Sequence, residues 1–322
     1  MKILYLVGNK ERATGAKTYQ DIVISEMSRR HEVCVSDQRN ELYNNWDIVH
    51  VPDIKRVPSW ITTASAPVLI DIHDYYWTKF FYFPCLDFPL RYILQRIRKP
   101  KYQKIIRSVA GVITHCEFVK DLIVHDHKFL VNIGIDDCTA DTSELKKGNI
   151  IVFSGGDYFR KGITTLFKAV KILYKTRQDF KVIVAGKEPM YSYLFARALS
   201  KGLPIEFWPN GLPRNQLLEL YKKAKVVCLP SWIEASPITI TEALASGTRV
   251  VASDVGGIPE VIDQNPNGHL IKPGDHKALA REIDTCLNRV DKNPVNQLDI
   301  RFKTDFMITG LERIYMSFVK KS

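Results

Sequence analysis

The chain has 322 residues, enough for two domains with sizeable cores. Apolar residues make up 45% of it and charged residues 25%, which excludes a disordered, collagen-like or polytopic membrane protein. The net charge of +11 favours an acidic partner, such as nucleic acid, anionic lipid or a phosphorylated substrate.

The N-terminus and the cysteines favour a cytoplasmic protein. The apolar run Met1–Val7 is too short for a signal peptide, and no run in the chain approaches the ~18 residues of a membrane span. The six cysteines are scattered without a Cys-x-x-Cys pair, which argues against a zinc site and against a secreted disulfide framework. We therefore expect reduced thiols and no metal ligated by cysteine.

Strand-like apolar runs alternate with helical segments along the whole chain, and a polar stretch at 136–149 interrupts the series once. Such alternation predicts parallel sheets covered by helices. We expect an α/β protein with two Rossmann-like domains facing across a cleft: residues 1–147, residues 148–295, and a C-terminal helix in 296–322 that packs back across the junction. The predicted strands are Lys2–Val7, Glu32–Ser36, Asp47–Val51, Val68–Ile72, Gly111–Thr114, Phe129–Asn132, Ile150–Phe153, Lys181–Ala185, Ile205–Trp208, Val226–Leu229, Arg249–Ala252 and His269–Ile271.

Two glutamates follow the predicted strand Val226–Leu229. Glu234 lies in the strand-to-helix loop and Glu242 in the first turns of the next helix. The N-terminus of that helix suits a phosphate, and a carboxylate on either side of it can accept hydrogen bonds from sugar hydroxyls. By spacing alone, the more common interpretation is a surface loop residue at Glu234 and an exposed helix residue at Glu242.

A tight glycine loop, Gly256-Gly257-Ile258-Pro259-Glu260, follows the next strand. With the run Pro230–Glu242 it resembles the C-terminal half of retaining glycosyltransferases with the GT-B fold, of the family 4 (glycosyl transferases group 1) type. The resemblance implies that Glu242 binds the ribose hydroxyls of a sugar nucleotide and that Glu234 faces the donor sugar. It also implies that the β-phosphate meets the backbone of Ala235, Ser236, Pro237, Ile238 and Thr239.

A second glycine turn precedes two cations. The segment from Phe153 to Ile163 contains Gly155-Gly156 and then Arg160-Lys161, and is similar to the family loop that places an arginine and a lysine on the diphosphate. The family arginine lies several residues earlier, where this chain has its glycine pair. Either Arg160 substitutes from a shifted position, or the site has one cation fewer. A solvated basic pair is the alternative.

The first half carries three weaker signals of the same family. His73-Asp74-Tyr75 resembles a family segment whose histidine lies near the donor sugar and the acceptor, and Asp74 would orient that histidine or cap a helix. Gly15 stands where the family has a glycine-rich loop, although a turn glycine is the alternative. In the second half, Gly211 belongs to a loop expected near the nucleotide base. The first domain would then serve the acceptor.

The segment 75–107 combines aromatic and basic residues. It holds nine aromatic residues between 75 and 92 and seven basic residues, without an acid, between 91 and 107. Core aromatics beside a solvated helix face would explain this composition. A surface for anionic lipid or a polyprenyl diphosphate acceptor would explain it too, and single-stranded nucleic acid is a third, less favoured reading. Pro100 is expected to interrupt the helix here.

Taken together, the resemblance implies a retaining transfer of a sugar from a nucleotide-diphosphate donor, UDP- or GDP-linked, to a glycan or lipid-linked acceptor. No cofactor is implied, and the lack of an Asp-x-Asp motif predicts metal-independent catalysis. We expect a cytoplasmic enzyme that can associate with the cytoplasmic face of a membrane. The alternatives are a DNA-modifying glycosyltransferase and a non-enzymatic protein that binds sugar nucleotides.

Overall fold

The computed structural model describes residues 1–7, 15–58, 60–75, 77, 88–136, 147–263, 265–289 and 298–319, with backbone alone at 88–92 and 95. These residues form two compact units. The first contains the described residues up to 136 and from 300 onward, and the second contains those from 147 to 299. Among the described helices, none has both the length and the apolar character that crossing a bilayer requires.

Strands and helices alternate in both units. The strands are β1 Lys2–Leu6, β2 Glu32–Ser36, β3 Ile48–Val51, β4 Val68–Ile72, β5 Gly111–Thr114, β6 Lys128–Leu130, β7 Gly148–Ser154, β8 Lys181–Ala185, β9 Ile205–Trp208, β10 Ala224–Leu229, β11 Arg249–Ser253 and β12 Gly268–Ile271. The helices are α1 Gly15–Ser28, α2 Phe88–Arg107, α3 Glu117–Leu122, α4 Ile163–Leu173, α5 Met190–Leu199, α6 Arg214–Lys223, α7 Ile238–Ala245, α8 Ile258–Ile262, α9 His276–Asn288 and α10 Thr304–Val319.

The first unit is built on a parallel six-stranded sheet in the order β2-β1-β3-β4-β5-β6. Its central strands are apolar on both faces: β3 and β4 are buried throughout. The C-terminal helix α10 packs on α1 and β3 of this unit. Its Tyr315 hydroxyl lies 2.9 Å from the Tyr5 hydroxyl of β1, so the last helix completes the core of the first unit.

The second unit has a parallel six-stranded sheet in the order β12-β11-β10-β7-β8-β9. The chain starts at β7, adds β8 and β9 on one side, and then crosses over to β10 on the other. Helices α4 and α9 cover one face, where Leu166, Val170 and Ile283 join the buried strand residues in one core. In sheets of this order, ligands bind beyond the carboxyl ends of the two adjacent strands at which the order of strand addition reverses. Here these strands are β7 and β10.

The predicted fold class is confirmed. All twelve predicted strands are present, with ends that differ by at most two residues, because runs of β-branched residues between turn signals fix buried parallel strands well. The expectation that Pro100 interrupts a helix is wrong, because α2 continues through it. Pro100 is exposed, so solvent can hydrate the carbonyl of the preceding turn that a proline leaves without a donor.

Candidate functional site

The turn after β7 depends on its glycine pair. Gly155 has a φ of +107°, which side-chain-bearing residues rarely adopt. A Cβ added to Gly156 would lie 2.6 Å from the carbonyl oxygen of Lys187, so that position has no room for a side chain. The turn is therefore tight, and it delivers Arg160 and Lys161 to the carboxyl end of β7.

Both cations contact Glu234. The Nζ of Lys161 donates to Oε2 of Glu234 at 2.9 Å, and Nη1 of Arg160 donates to the same oxygen at 3.3 Å. The three side chains are only 11% to 16% exposed. Burial raises the pKa of Glu234, but the charges of Lys161 and Arg160 and their hydrogen bonds outweigh it and lower the pKa overall. The three groups thus form one ionic cluster with an ionised carboxylate, and Asp157, which pairs with Arg160, supplies a second carboxylate to it.

Arg160 also links the two loops of the switch point. Its Nε donates to Oδ2 of Asp157 at 2.9 Å, and its Nη1 donates to the carbonyl of Ile233 at 2.7 Å. Its own carbonyl accepts from the backbone N–H of Trp232 at 2.9 Å. These bonds fix the guanidinium, so Arg160 has a position that a solvated surface cation would not have.

The loop after β10 leads directly into α7. That helix begins at Ile238 after Pro237, and no side chain caps its N-terminus. The first amides of a helix have no carbonyl partner within it, so Ile238 and Thr239 present N–H groups that suit an anion. The carbonyl of Ala235 accepts from the N–H of Gly257 at 2.9 Å, which ties this loop to the glycine turn after β11. The half-buried Ser236 lies between Ala235 and the first residue of α7.

Glu242 lies in α7 and is held by an arginine that sequence reasoning missed. The Nε of Arg214 donates to Oε1 of Glu242 at 2.7 Å. Burial raises the pKa of Glu242, and the hydrogen bond and charge of Arg214 oppose that rise without cancelling it. Glu242 is 4% exposed, and Nη2 of Arg214 is a buried donor that finds no hydrogen-bond partner among the described residues. A charged pair with an unused donor is suited to a polar ligand.

Arg214 left only a faint signal in the sequence. It is the first residue of α6, where a basic side chain opposes the helix dipole, and it lies 28 residues from its partner. It follows the loop of Gly211, whose φ is +72°. No atom lies closer than 3.8 Å to a Cβ added at Gly211, so the backbone conformation, and not crowding, favours glycine there.

In the first unit, His73 follows β4 and lies in a packed aromatic environment. Its Nε2 donates to the carbonyl of Pro52 at 2.9 Å, which leaves Nδ1 as the acceptor of a neutral ring. Its ring stacks on His115 at 4.4 Å and meets Tyr19 edge-on at 5.0 Å between centroids. Burial lowers the pKa of His73 more than Asp71 raises it, so the ring is neutral at pH 7.

Two further predicted residues adjoin this region. Asp74 forms an ion pair with Lys55, and its carbonyl accepts from Nε1 of Trp77 at 3.1 Å. Gly15 is the exposed first residue of α1, and the loop before it, residues 8–14, lies outside the described residues. The structure therefore brings Arg160, Lys161 and Glu234 into one cluster of the second unit, whereas His73 and Gly15 belong to the first.

The group Asp71, His73 and His115 has ligand atoms within 4.8 Å of one another. A zinc ion needs its ligands to converge on one point at about 2.0–2.1 Å for histidine nitrogen. The rings of His73 and His115 are instead stacked, with 4.4 Å between centroids and only 25° between their planes, so their in-plane lone pairs lie in separate, nearly parallel planes and do not converge on one point. Oδ2 of Asp71 already lies 2.9 Å from Nε2 of His50. We interpret the group as a polar part of the core and not as a metal centre.

Part of the aromatic-basic segment is described. Tyr75 and Trp77 are 2% and 4% exposed, so these two rings belong to the core. On α2, Ile93, Leu94 and Ile97 are exposed, at 53%, 37% and 64%. Tyr102 of α2 is 5% exposed and packs on Trp77, and the other aromatic residues of the segment lie outside the described side chains. Within the described part, exposed apolar residues of α2 thus lie beside the predicted cations.

Comparison with known proteins agrees with this site. Residues 137–296 match the family model described as "Glycosyl transferases group 1". The chain is 28% identical over 225 residues to "GalNAc-alpha-(1->4)-GalNAc-alpha-(1->3)-diNAcBac-PP-undecaprenol alpha-1,4-N-acetyl-D-galactosaminyltransferase" of Campylobacter jejuni, covering 69% of this chain and 57% of that protein.

Two solved structures share the fold over nearly the full length. Sucrose-phosphate synthase from Thermosynechococcus elongatus superposes with a TM-score of 0.77 at 15% identity, over 100% of each chain. Anabaena HepE in complex with UDP and glucose gives a TM-score of 0.73 at 16% identity, over 98% of this chain and 100% of that one.

The share of the relatives that this chain covers is limited. It spans 36% to 57% of the length of the first curated relatives that it matches. The matched family region nevertheless contains the whole cluster of Arg160, Lys161 and Glu234, and also Glu242. Over residues 137–296 the chain is therefore similar to the glycosyl transferases group 1, and its fold is that of the two solved structures.

Proposed function

We propose that this chain is a retaining glycosyltransferase that moves a sugar from a nucleoside-diphosphate donor to an acceptor hydroxyl. One observation carries the proposal. The cluster of Lys161, Arg160 and Glu234 and the open N-terminus of α7 lie at the carboxyl ends of β7 and β10, where the strand order of the second sheet reverses. This combination offers positive charge for a diphosphate and a carboxylate for sugar hydroxyls in one partly buried place.

The roles follow from the contacts. The diphosphate would take hydrogen bonds from Lys161 and Arg160 in place of some of those that these cations donate to Glu234 and Asp157. Glu234, released from one of these bonds, would accept hydrogen bonds from the donor sugar. Glu242 would hold the ribose hydroxyls through its second oxygen, because its first is occupied by Arg214. The backbone of Ala235–Thr239 would meet the β-phosphate at the start of α7.

The reaction needs charge stabilisation where the donor bond breaks. The bond from the anomeric carbon to the diphosphate oxygen breaks, and its electron pair stays on the diphosphate. The acceptor oxygen bonds to the same face of the sugar, and its proton passes to the leaving diphosphate. Lys161 and Arg160 are held in place before the reaction, which is the arrangement that stabilises a leaving anion most effectively. The proposal includes metal-independent catalysis, since these two cations and the helix amides supply the positive charge.

The donor is proposed to be UDP- or GDP-linked, without a further cofactor. The solved structure of Anabaena HepE in complex with UDP and glucose supports a uridine donor by analogy of fold. His73, neutral and with Nδ1 as acceptor, would receive a hydrogen bond near the reacting sugar. Gly15, Gly156 and Gly211 would let the backbone approach the donor.

The acceptor is proposed to be a glycan or a lipid-linked glycan at the cytoplasmic face of a membrane. The Campylobacter jejuni relative is named for an undecaprenol-linked substrate, which supports a lipid-linked class. The exposed Ile93, Leu94 and Ile97 of α2 lie among cations, as the interface of an anionic membrane requires.

A thermal-shift screen with UDP, GDP, ADP, TDP and CMP tests the donor site, because a ligand of the native state raises the unfolding temperature. We expect one nucleoside diphosphate to stabilise the wild type and to do so less in Lys161→Ala. Turnover of the matching nucleotide sugar then separates an enzyme from a mere binder. Duplex-DNA binding that weakens steeply with salt would reopen the DNA-modifying alternative, which the similar proteins do not favour.

A further inference from the structure

Helix α5 of the second unit is amphipathic in the reverse sense. A surface helix normally buries its large apolar residues and exposes its polar ones. In α5 the buried residues are small, Ser192 and Ala196, and Ser200 just after the helix is buried too. The large apolar residues point outward. Only a narrow face of small residues packs toward the sheet, and most of the apolar surface of the helix is exposed.

The outward apolar face is continuous along the helix. Met190 is 68% exposed and Leu194 is 53% exposed, one turn apart, with Phe195 at 39% beside them. Tyr191 and Leu199, both exposed, extend the same surface to each end of the helix. Single exposed apolar residues need no explanation, but a contiguous group of this kind marks a contact surface. We call these five residues the α5 face.

The charges around the α5 face have one sign. Arg197 within the helix and Lys201 just after it are exposed, and so is Lys187 shortly before it. Between residues 189 and 205 the sequence contains no acidic residue. Glu188 is the nearest acid before the helix, and it accepts a hydrogen bond from the backbone N–H of Tyr158. An apolar surface flanked by cations complements an anionic lipid headgroup layer.

We propose that the α5 face is a membrane-contact surface that inserts Met190, Leu194 and their neighbours into the interface of an anionic bilayer while Arg197 and Lys201 meet the headgroups. It goes beyond the proposed function, which relates membrane contact to α2 of the other unit, and it does not require that the chain transfers a sugar. The partner is a lipid surface and not a second copy of this chain. A two-fold dimer through this face would bring Arg197 and Lys201 near their own copies without an acid to pair them.

The position of α5 in the chain gives this surface a connection to the donor site. The helix follows β8 through Gly186, Lys187 and Glu188. A Cβ added to Gly186 would lie 2.2 Å from the carbonyl oxygen of Gly155, so this connection is in direct backbone contact with the glycine turn of the site. A bilayer contact at α5 would therefore lie one short loop away from the turn that carries Arg160 and Lys161.

Vesicle co-sedimentation with the full chain tests the proposal. The probe is extruded vesicles of equimolar phosphatidylcholine and phosphatidylglycerol, with phosphatidylcholine alone as the neutral comparison. We expect Leu194→Asp to lower the partition coefficient about tenfold. The matched control is Ile172→Asp on α4, an exposed apolar residue of the same unit that should leave binding unchanged. Arg197→Gln and Lys201→Gln should each weaken binding about fivefold, and added salt should reduce the difference.

A second measurement reports insertion directly. Tryptophan introduced as Leu194→Trp should lose emission on vesicles with brominated acyl chains, relative to wild type, whereas Ile172→Trp should not. The proposal would be overturned if the wild-type protein stays in the supernatant with anionic vesicles at low salt. It would also be overturned if Leu194→Asp binds the vesicles as well as Ile172→Asp does. A third contrary result would be a wild-type dimer in solution that Leu194→Asp dissociates while vesicle binding stays unchanged. Nucleotide thermal shifts of Leu194→Asp should equal those of wild type, so a failure here leaves the donor site untouched.

Discussion

The carboxyl ends of the two sheets use polar residues in opposite ways. In the second unit, Lys161 and Arg160 share the ionised Glu234 in a cluster that keeps part of its surface in solvent. In the first unit, His115 is fully buried and its burial lowers its pKa to about 3, so it stays neutral. His73 stacked against it is neutral too. One sheet end places charged side chains next to solvent, and the other packs the neutral rings of His73 and His115 beside the carboxylate of Asp71.

This difference follows from loop chemistry and not from topology, since both sheets are parallel and six-stranded. In the second unit a glycine turn and an uncapped helix N-terminus leave charges near solvent, where they can meet an anion. In the first unit, the carboxylate of Asp71 lies among His50, His73 and His115, and the ring of Tyr19 packs against the last two histidines. A shared fold therefore does not imply shared chemistry, and each sheet end has to be tested separately.

The largest expected effect on turnover comes from removing a cation of the cluster in the second unit. Lys161→Ala should lower turnover of a sugar-nucleotide donor by about two orders of magnitude or more, because its charge matters most as the diphosphate leaves. Arg160→Ala should follow it if Arg160 replaces the earlier arginine of the family. Lys168→Ala, an exposed lysine of α4, is the control. Wild-type kinetics in Arg160→Ala, with the fold intact, would show that the site works with one cation.

A second change separates the two glutamates of the charged end. Glu234→Gln keeps the size of the side chain and removes its charge, so we expect turnover to fall about a hundredfold while nucleotide affinity changes little. Its partner in the reaction would be the sugar and not the nucleotide. Calorimetric titration with the free nucleotide measures the affinity, and initial rates measure the turnover. An equal loss of both in Glu234→Gln would contradict a role at the donor sugar.

The pair of Glu242 and Arg214 should show a smaller effect, on nucleotide binding. Glu242→Ala should weaken binding by about 1–3 kcal/mol, the range for a charge-assisted hydrogen bond lost from a buried site. Arg214→Leu should weaken it less at neutral pH, yet it should raise the pH below which binding fails. The sign follows from the pKa of Glu242: burial raises it, Arg214 opposes the rise, and without Arg214 the acid protonates at higher pH.

The pH profile distinguishes this positioning role from general destabilisation. Arg214→Lys should restore part of the wild-type profile because it keeps the positive charge. Lys223→Leu, an exposed position on the same helix, should leave both affinity and profile unchanged. If Arg214→Leu lowers affinity equally at every pH, Arg214 supports the local fold and does not tune Glu242.

The sequence predicts the strands well, and it predicts that Arg160, Lys161 and Glu234 follow the ends of two of them. Apolar β-branched runs between glycine turns predict each strand, and Glu234, Glu242, Arg160 and Lys161 lie in short loops or first turns next to strand ends, where ligands bind in such sheets. These residues are close in sequence to an element that is itself predictable. Their neighbourhood can therefore be inferred without knowing any long-range contact.

The remaining features depend on tertiary packing. Arg214 meets Glu242 only because helices α6 and α7 pack against each other, which no local pattern reveals. The burial of Trp77 separates it from the exposed part of its segment, although composition alone suggests one continuous surface. The helix α5 has an amphipathic sequence, yet the face that it buries is the one with small residues. Periodicity predicts that a helix has two faces and not which of them meets the core.

The smallest expected effect concerns the buried histidines of the first unit, and it is measured as a change in the free energy of unfolding. The pKa of His115 is about 3 in the fold and 6.5 in its usual state, so the unfolded chain binds one more proton between these values. Its contribution is therefore complete above pH 6.5 and is lost progressively as the pH falls below it. Between about pH 7.5 and about pH 5.5 this histidine should cost about 1 kcal/mol of unfolding free energy.

Chemical denaturation at the two pH values, with wild type and His115→Asn, measures that contribution. Asparagine can keep the hydrogen bond that Nδ1 of His115 donates to the carbonyl of Val131, and it has no proton to gain. The variant should therefore lose less stability on acidification than wild type, and the control His127→Asn, at an exposed position, should not. Since burial lowers the pKa of His73 as well, the variant keeps a part of the acid sensitivity. Equal acid sensitivity in wild type and His115→Asn would mean that His115 takes up its proton as readily in the fold as in the unfolded chain, and the contrast between the two sheet ends would be lost.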